Sequence, residues 1–270
     1  MKNKKLINRT CSCLLVAAFV LMSVASSSTK ETTKVVVDGS DQISSDDGSG
    51  SGVTKETTAS NEVSYEITDT RFNYYTNSIG NLEYYGIVEI TNTGSSYLYM
   101  DDCTFDLEDN DGHLLQSDNM IPSCPDVIAP GEKGYFYSSI GSSSIDDGVS
   151  LDNGVKLVPS ISVEVARGGA SAIVEYDVSD TDLRTDDYNR PKVTGRVTNN
   201  TGKDNSYLYV NVLFYDSEGK IIAISGTTVT DLSAGATVSF ECSTLFTDDS
   251  LTMDSIGSYE VIARDAYMQF

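Results

Sequence analysis

Several of the residue types needed for catalysis are scarce in this sequence. It has no tryptophan, a single histidine (His113), and 18 basic residues against 40 acidic ones. One histidine removes most serine–histidine and cysteine–histidine arrangements, and the sequence has no G-x-S-x-G nucleophile elbow. Carboxylates are abundant enough for a glycoside hydrolase, but the aromatic subsites and cleft of such an enzyme have little support. We therefore expect a protein that is not an enzyme and that uses no cofactor.

The shortage of basic residues also limits the partners. The formal net charge is −22, so the chain should repel nucleic acid and anionic lipid surfaces. It should stay soluble and attract cations only weakly. We expect no nucleic-acid partner.

Long apolar runs are confined to the N-terminus. Residues 1–25 combine a basic start, an apolar run of about fifteen residues from Cys11, and a small-residue cleavage site ending at Ala25. That run is short of the roughly 20 residues that span a bilayer. The pattern predicts a signal peptide cleaved near Ala25, with an uncleaved anchor as the alternative. Cys11 and Cys13 begin the apolar run rather than follow it, which argues against lipid attachment.

The next segment, residues 26–62, is rich in Ser, Thr, Gly and Asp and has hardly any large apolar residue. Such a composition cannot bury enough surface to offset the entropy of ordering. We expect a disordered linker, in which Val35–Val37 is too isolated to fold alone. Cleavage before it would bring the net charge to −26, because four basic residues and no acidic ones are removed. The sequence thus predicts a secreted or cell-surface protein without a stable membrane span.

The rest of the chain contains an internal repeat. Five blocks recur in the same order: SYEITDTRF with EYDVSDTDL, EITNTGSSYLYM with RVTNNTGKDNSYLYV, FDLEDNDGHLL with VLFYDSEGKII, APGEKGYFYSS with SAGATVSFECS, and ISVEVARGG with SYEVIARDA. Five matching blocks in one order indicate a duplicated unit of about a hundred residues.

Each unit has the two-residue periodicity of β-strands. In YLYVNVLFYD, one face carries Leu208, Val210, Val212 and Phe214, and the other carries Tyr207, Tyr209, Asn211 and Leu213. Gly, Asn, Asp and Pro clusters divide such runs, and no sustained helical periodicity follows the N-terminal segment. We predict an all-β chain with two tandem immunoglobulin-like antiparallel β-sandwiches, residues 63–167 and 171–270, joined by a short RGGAS segment.

The second unit resembles the FxLYD domain, an immunoglobulin-like module of secreted and surface proteins in Gram-positive bacteria. The residues that match its hallmark run from Val212 to Asp216, with the Tyr and Asp retained. In the first unit Phe105, Leu107 and Asp109 match, but Glu108 replaces the Tyr. The first unit is therefore either the more diverged copy or a member of a related immunoglobulin-like family. The resemblance implies an immunoglobulin-like fold and a bacterial cell-envelope or extracellular setting, and it implies no catalytic residue.

The acidic stretch FDLEDNDGH raises the question of a metal site. An EF-hand loop needs acidic groups at its first, third and fifth positions, then Gly, then a Glu six residues later. Counting from Gly112, the first position is Leu107 and the last is Asp118. The same stretch recurs around Gly219, between apolar strand ends. A hairpin turn is therefore predicted and no metal site, although acidic loops at 146–153 and 247–254 leave weak calcium binding open.

Paired tyrosines are the candidate binding residues. Tyr97, Tyr99, Tyr207 and Tyr209 fall on predicted strands in corresponding places. Tyr favours strands for structural reasons, but a sheet face rich in Tyr also offers rigid, amphipathic contacts. We expect binding of an extracellular protein or polysaccharide through these residues. The alternative is a structural spacer or accessory envelope protein without a specific ligand.

Three cysteines lie beyond the signal segment. Cys103 and Cys124 belong to the same repeat, and an exported chain can oxidise such a pair. Spacing alone does not establish the geometry, so a disulfide between them and two free thiols both remain open. Cys242 alternates with Val238 and Phe240 and is expected to be a buried apolar residue.

Overall fold

The computed structural model describes side chains and backbone for most of both repeats and the backbone of two short segments before them. The described residues are 63–76, 80–119, 121–138, 145, 149–244 and 252–266, with backbone alone at 30–34 and 37–38. The predicted signal peptide and most of the predicted linker lie outside these residues. Within the described ranges the chain is all-β, as predicted, and none of its helices is long and apolar enough to cross a membrane.

The first unit is a sandwich of two antiparallel sheets. One sheet has the order β1-β10-β5-β6, with β2 on β10 and β8 on β5, and the other has the order β3-β4-β9-β7. The strands are β1 Lys30–Lys34, β2 Val37–Asp38, β3 Tyr65–Thr76, β4 Leu82–Asn92, β5 Leu98–Glu108, β6 Leu114–Asp118, β7 Ser123–Cys124, β8 Val127–Ile128, β9 Lys133–Tyr137 and β10 Lys156–Val165.

The second unit repeats this plan with fewer strands. Its sheets have the orders β12-β13-β16 and β11-β17-β14-β15. The first two strands of the unit, β11 and β12, therefore lie in different sheets of the sandwich, as in immunoglobulin-like folds. The strands are β11 Ile173–Glu175, β12 Asp177–Thr185, β13 Pro191–Thr198, β14 Asn205–Tyr215, β15 Ile221–Leu232, β16 Thr237–Ser243 and β17 Ser258–Ala266.

Each unit has its own interior. Phe105, Phe136 and Leu157 lie at the centre of the first, and Leu208, Val212 and Phe214 lie at the centre of the second. The predicted inward face of β14 is confirmed, since Leu208, Val210, Val212 and Phe214 are all at most 1% exposed. No strand pairing joins the two units in the described part of the chain.

A fully buried asparagine organises the same corner of both units. Asn199 donates through Nδ2 to the carbonyl oxygens of Lys203 and Leu232, both at 2.8 Å. Its Oδ1 accepts the backbone N–H of Thr201 at 3.0 Å. Asn92 makes the corresponding contacts to Ser96, Ile128 and Gly94 in the first unit. One side chain therefore satisfies three backbone groups where the chain turns between sheets.

The structure differs from the predicted linker at its N-terminal end. Residues 30–34 pair antiparallel with Ser160–Glu164 of β10, and residues 37–38 pair with Lys156 and Leu157. The composition of this segment gives no apolar pattern, but strand pairing requires only backbone donors and acceptors. The linker prediction was therefore wrong for these seven residues.

The joint between the units is folded rather than open chain. Gly168 and Gly169 take positive φ angles of 92° and 55°, and Gly169–Ala172 form a single 3-10 turn. Ala172 is buried with Val127 and Ala166. The turn and this buried cluster thus connect the two units directly after the end of β10.

A third apolar cluster lies between the units. It contains Ile87, Cys124, Tyr135 and Tyr137 from the first unit and Leu213, Ile221 and Ile224 from the second. The outer face of the β3-β4-β9-β7 sheet therefore packs against the outer face of the β14–β15 pair. We call this contact the inter-unit core. It explains why β4 and the C-terminal half of β14 are buried on both faces.

Replacing the buried asparagine should destabilise the second unit. Asn199→Ala leaves the carbonyls of Lys203 and Leu232 and the N–H of Thr201 without their partner, and we expect a loss of about 2–4 kcal/mol in the free energy of unfolding. Urea denaturation measures it. The neighbouring exposed Asn200→Ala is the matched control and should change stability by less than about 0.5 kcal/mol. Equal losses in the two variants would contradict this role.

Truncating the inter-unit core should also be costly. Leu213 is fully buried on the outer face of β14, so Leu213→Ala should lower the free energy of unfolding by about 3 kcal/mol. Leu114, which is 60% exposed, supplies the control substitution Leu114→Ala with little expected effect. If Leu213→Ala proved as mild as the control in urea denaturation, the two outer faces would not be packed together.

Candidate binding surface

The outer face of β14 is divided between a covered half and an open half. Asn211 and Leu213 are buried beneath the first unit, at 7% and 0% exposure, and Tyr215 packs against the inter-unit core. Tyr207 and Tyr209, four and two residues before Asn211, are 58% and 40% exposed. We call these two side chains the tyrosine shelf. The first unit covers β14 up to the shelf, and its Tyr137 side chain is hydrogen-bonded to Tyr209.

Neighbouring residues hold the shelf in place. A Cβ at Gly226 would lie 2.5 Å from the ring of Tyr209, so this ring lies directly across the glycine backbone. The Tyr207 hydroxyl accepts a hydrogen bond from Thr228 Oγ1 at 3.2 Å. Thr228 and Thr230 pair with Tyr209 and Tyr207 on β15, and both are exposed. The shelf thus combines fixed aromatic rings with adjacent hydroxyl groups.

The corresponding tyrosines of the first unit are used differently. Tyr97 and Tyr99 are half-buried and pack against the small cluster of Val127, Ala166 and Ala172 at the joint. Burial also raises the pKa of Tyr99 above its usual value. Of the four predicted binding tyrosines, the structure leaves the second pair open and places the first pair against the joint.

Polar groups of the inter-unit core are paired across the two units. The Tyr137 hydroxyl donates to Asn211 Oδ1 at 3.1 Å, and the hydroxyl oxygens of Tyr135 and Tyr215 are 3.3 Å apart. Burial raises the pKa of Tyr135, Tyr137 and Tyr215, so all three hydroxyls stay protonated at neutral pH. The tyrosine hydroxyls therefore add directional contacts to an otherwise apolar interface.

Arg264 joins the two units electrostatically. It contacts Glu132 of the first unit through Nη1 and Glu175 of the second through Nη2, each at 2.7 Å. Glu260, four residues before Arg264 on β17, accepts a hydrogen bond from the Tyr215 hydroxyl at 3.3 Å. Burial, followed by the nearby charge of Glu132, raises the pKa of Glu260, while the Tyr215 hydrogen bond and Arg264 oppose the shift.

The acidic stretch around His113 forms the predicted hairpin turn. Asp109 Oδ1 accepts the backbone N–H groups of Asp111 and His113 at 2.9 and 2.8 Å. Asp216 does the same for Glu218 and Lys220. The hydrogen bond from His113 lowers the pKa of Asp109. The contacts within the turn therefore account for the clustering of these side chains.

One ligand atom from each of Asp109, Asp111 and His113 does lie within 4.8 Å of the others. The second oxygen of Asp109 is already contacted by His113 Nδ1 at 3.0 Å and by Asn153 Nδ2 at 3.2 Å. The acidic loops at 146–153 and 247–254 fall partly outside the described residues. The cluster is thus a hydrogen-bonded turn shared with Asn153.

The proposed cysteine pair is not formed. Cys103, Cys124 and Cys242 are all free and buried. Cys103 lies in the interior of the first unit, whereas Cys124 lies in the inter-unit core, on the other side of the β3-β4-β9-β7 sheet. The short spacing in sequence was misleading because the two side chains belong to different packing layers. Cys242 is fully buried in the interior of the second unit, as its alternation predicted.

A second, polar surface lies on the outer face of the β12-β13-β16 sheet. A shallow groove of about 400 Å³ is lined by Asp180, Thr194, Gly195, Arg196, Ser239, Phe240 and Glu241. Asp180 stands at a bulge with a positive φ of 53°, where β12 leaves its register with β13. The groove corresponds to the face of the first unit that carries Tyr135 and Tyr137. The two copies therefore differ on this face, which is polar in the second unit and apolar in the first.

Sequence reasoning missed the residues of the inter-unit core. Leu213 was placed on the outer face of β14, but no partner was assigned to it. A signal was present in Ile221–Ile224, where four apolar residues follow one another without alternation. A strand with both faces apolar must be covered on both sides, which predicts a contact but not its partner.

Removing the charge of Glu260 tests its burial. A carboxyl group whose pKa is raised on folding binds its proton more tightly in the folded state, so it favours folding more as pH falls towards its usual pKa. We expect Glu260→Gln to be more stable than the parent at neutral pH, with the difference shrinking on acidification. Urea midpoints between about pH 4 and pH 8 measure this. The exposed Glu218→Gln is the control, and a pH-independent difference would contradict the assignment.

No protein-family model matches the chain, and no curated protein matches it. Among solved structures, the chain is similar to the N-terminal CBM22-1-CBM22-2 tandem domain of Xyn10C from Paenibacillus barcinonensis, at 10% identity. The match covers 76% of this chain and 86% of that one, with a TM-score of 0.15. A similarity this low carries no argument about ligand or activity.

Proposed function

We propose that this protein is an exported, non-catalytic binding module of the bacterial envelope, and that the tyrosine shelf is its contact surface. The observation that carries the proposal is the exposure of Tyr207 and Tyr209 side by side on one strand face. The exposed large apolar side chains of the described residues are Leu114, Tyr188, Tyr207 and Tyr209. Only the last two form a pair.

The chemistry of the shelf favours a neutral glycan. Aromatic rings present flat apolar faces that suit the C–H faces of sugars, and the hydroxyls of Thr228 and Thr230 lie alongside for hydrogen bonding. Tyr supplies this contact area at low entropic cost. The net charge of −22 opposes the approach of acidic polymers. A neutral cell-wall polysaccharide therefore fits the shelf better than an acidic one.

A protein partner is the nearest alternative, because tyrosine pairs are also common in protein interfaces. A structural spacer is a further candidate, and the firm docking of the two units favours it. A rigid pair of sandwiches can hold other parts of the envelope at a fixed separation without any ligand. The two functions differ in whether the shelf is needed.

Substitution of the shelf separates these candidates. Tyr207→Ala with Tyr209→Ala should reduce binding to neutral envelope polysaccharides at least about tenfold, because both aromatic faces are lost. The Tyr137 side chain loses its contact with Tyr209 but keeps its hydrogen bond to Asn211. Co-sedimentation with insoluble cell-wall glycan and with a protein fraction of the envelope measures it. Tyr188→Ala, which removes a tyrosine that is 78% exposed elsewhere on the same unit, is the control.

The outcomes are distinct. Loss of glycan binding in the shelf variant alone supports the proposal. Loss of binding to the protein fraction alone replaces the glycan with a protein partner. Binding to neither fraction by the parent protein, with unchanged thermal stability in all variants, favours the spacer.

A further inference from the structure

The two units differ in how one sheet edge is closed. In the second unit β11 pairs antiparallel with β17, from Ile173 opposite Ala266 to Glu175 opposite Arg264. In the first unit β1 lies on the corresponding edge of β10, from Lys30 opposite Glu164 to Lys34 opposite Ser160. β10 and β17 are the corresponding last long strands of the two units in sequence. β1 and β11 therefore close the same edge of the repeated sheet, along different parts of it.

The connections of these two edge strands to their sandwiches are very unequal. A single residue, Tyr176, separates β11 from β12. Residues 39–64, 26 in number, separate β2 from β3. A chain of that length reaches about 85 Å when fully extended, and roughly 30 Å on average if it behaves as a flexible coil. β11 can pair only within its own unit, whereas β1 can reach beyond its own molecule.

The contact that β1 makes is a backbone ladder. Seven residues, five in β1 and two in β2, pair along almost the whole of β10. Ladder hydrogen bonds use groups that every copy of the chain presents identically. Without β1, the long edge of β10 would be open to pairing with another strand.

We propose that the β10 edge is a strand-acceptor site that takes β1 and β2 either from the same chain or from a second copy, so that two molecules associate by exchanging these strands. Exchange between two copies preserves the number of paired residues. The ratio of monomer to exchanged dimer then depends on the protein concentration. Exchange competes with pairing inside one chain, where the effective concentration of the tethered strand is on the order of millimolar. The single chain closes on itself in dilute solution, and exchanged dimers form where the protein is crowded.

The geometry also sets a minimum length for closure within one chain. Asp38 pairs with Lys156 at one end of β10, whereas Tyr65 pairs with Asn92, whose side chain binds Ser96 near the opposite end. The ten residues of β10 span about 30 Å. The connection must cover that distance, which takes about nine extended residues. A shorter connection leaves exchange as the only way to fill the edge.

Shortening the connection is the first test. Deleting residues 40–62 leaves three residues between β2 and β3, which span about 10 Å. We expect the parent protein to be a monomer at micromolar concentration and the deletion variant to be a dimer or larger assembly by light scattering. The control carries Thr32→Pro in the same deletion, since proline cannot donate to the ladder. It should return to monomer. A monomeric deletion variant would overturn the proposal.

Cysteine trapping tests the exchange in the full-length chain. Cys11 and Cys13 are first replaced by Ser, and single variants Lys34→Cys and Ser160→Cys are then mixed, because these two positions face each other in the ladder. Strand exchange predicts a disulfide-linked dimer containing one of each chain, increasing with protein concentration. Thr33→Cys mixed with Ser160→Cys is one position out of register and should link at least about fivefold less.

A chain carrying both Lys34→Cys and Ser160→Cys completes the experiment. It should form an internal disulfide in dilute solution, which verifies the register within one molecule. Internal linkage without any linkage in the mixture at high concentration would show that the edge is closed to other copies. Linkage in neither case would show that β1 does not pair with β10. Either result overturns the proposal.

Discussion

The architecture depends on burying the second faces of two strands, β4 and β14. A strand in an antiparallel sandwich normally hides one face and exposes the other, yet β4 and the C-terminal half of β14 are covered on both sides. Each unit has a complete interior of its own, so the remaining apolar surface can be removed from water only by the other unit. This contact fixes the relation between the units, and it decides which tyrosines are left exposed.

The two copies have diverged mainly in their outward-facing residues. Tyr135 and Tyr137 face the second unit, whereas the corresponding positions of β16 are the exposed Ser239 and Glu241. The contact between the units is head-to-tail, and such contacts propagate when both surfaces recur on every copy. Polar residues at the free outer face of β16 remove the apolar surface through which the first unit makes this contact, so the second unit does not present the same surface.

The repeated strands, the inward face of β14 and the hairpin at Asp109 could be predicted because they follow from local patterns: alternation, turn residues and internal repetition. The exposure of Tyr207 and the burial of Tyr97 could not, since both are tyrosines at equivalent positions and only docking distinguishes them. The same holds for Cys124, whose layer depends on the partner of its sheet. β1 could not be predicted because it pairs through backbone hydrogen bonds, which require no particular pattern of side chains.

The burial of all three thiols has a consequence for the order in which folding and thiol oxidation can occur. Burial raises the pKa of each thiol, that of Cys242 to about 11, so very little of the reactive thiolate exists once the sandwiches have closed. Before closure, nothing shields them, and any disulfide between Cys103 and Cys124 would tether two side chains that must enter separate layers. In oxidising surroundings, folding that is complete before the thiols react keeps all three as small apolar side chains of the interior.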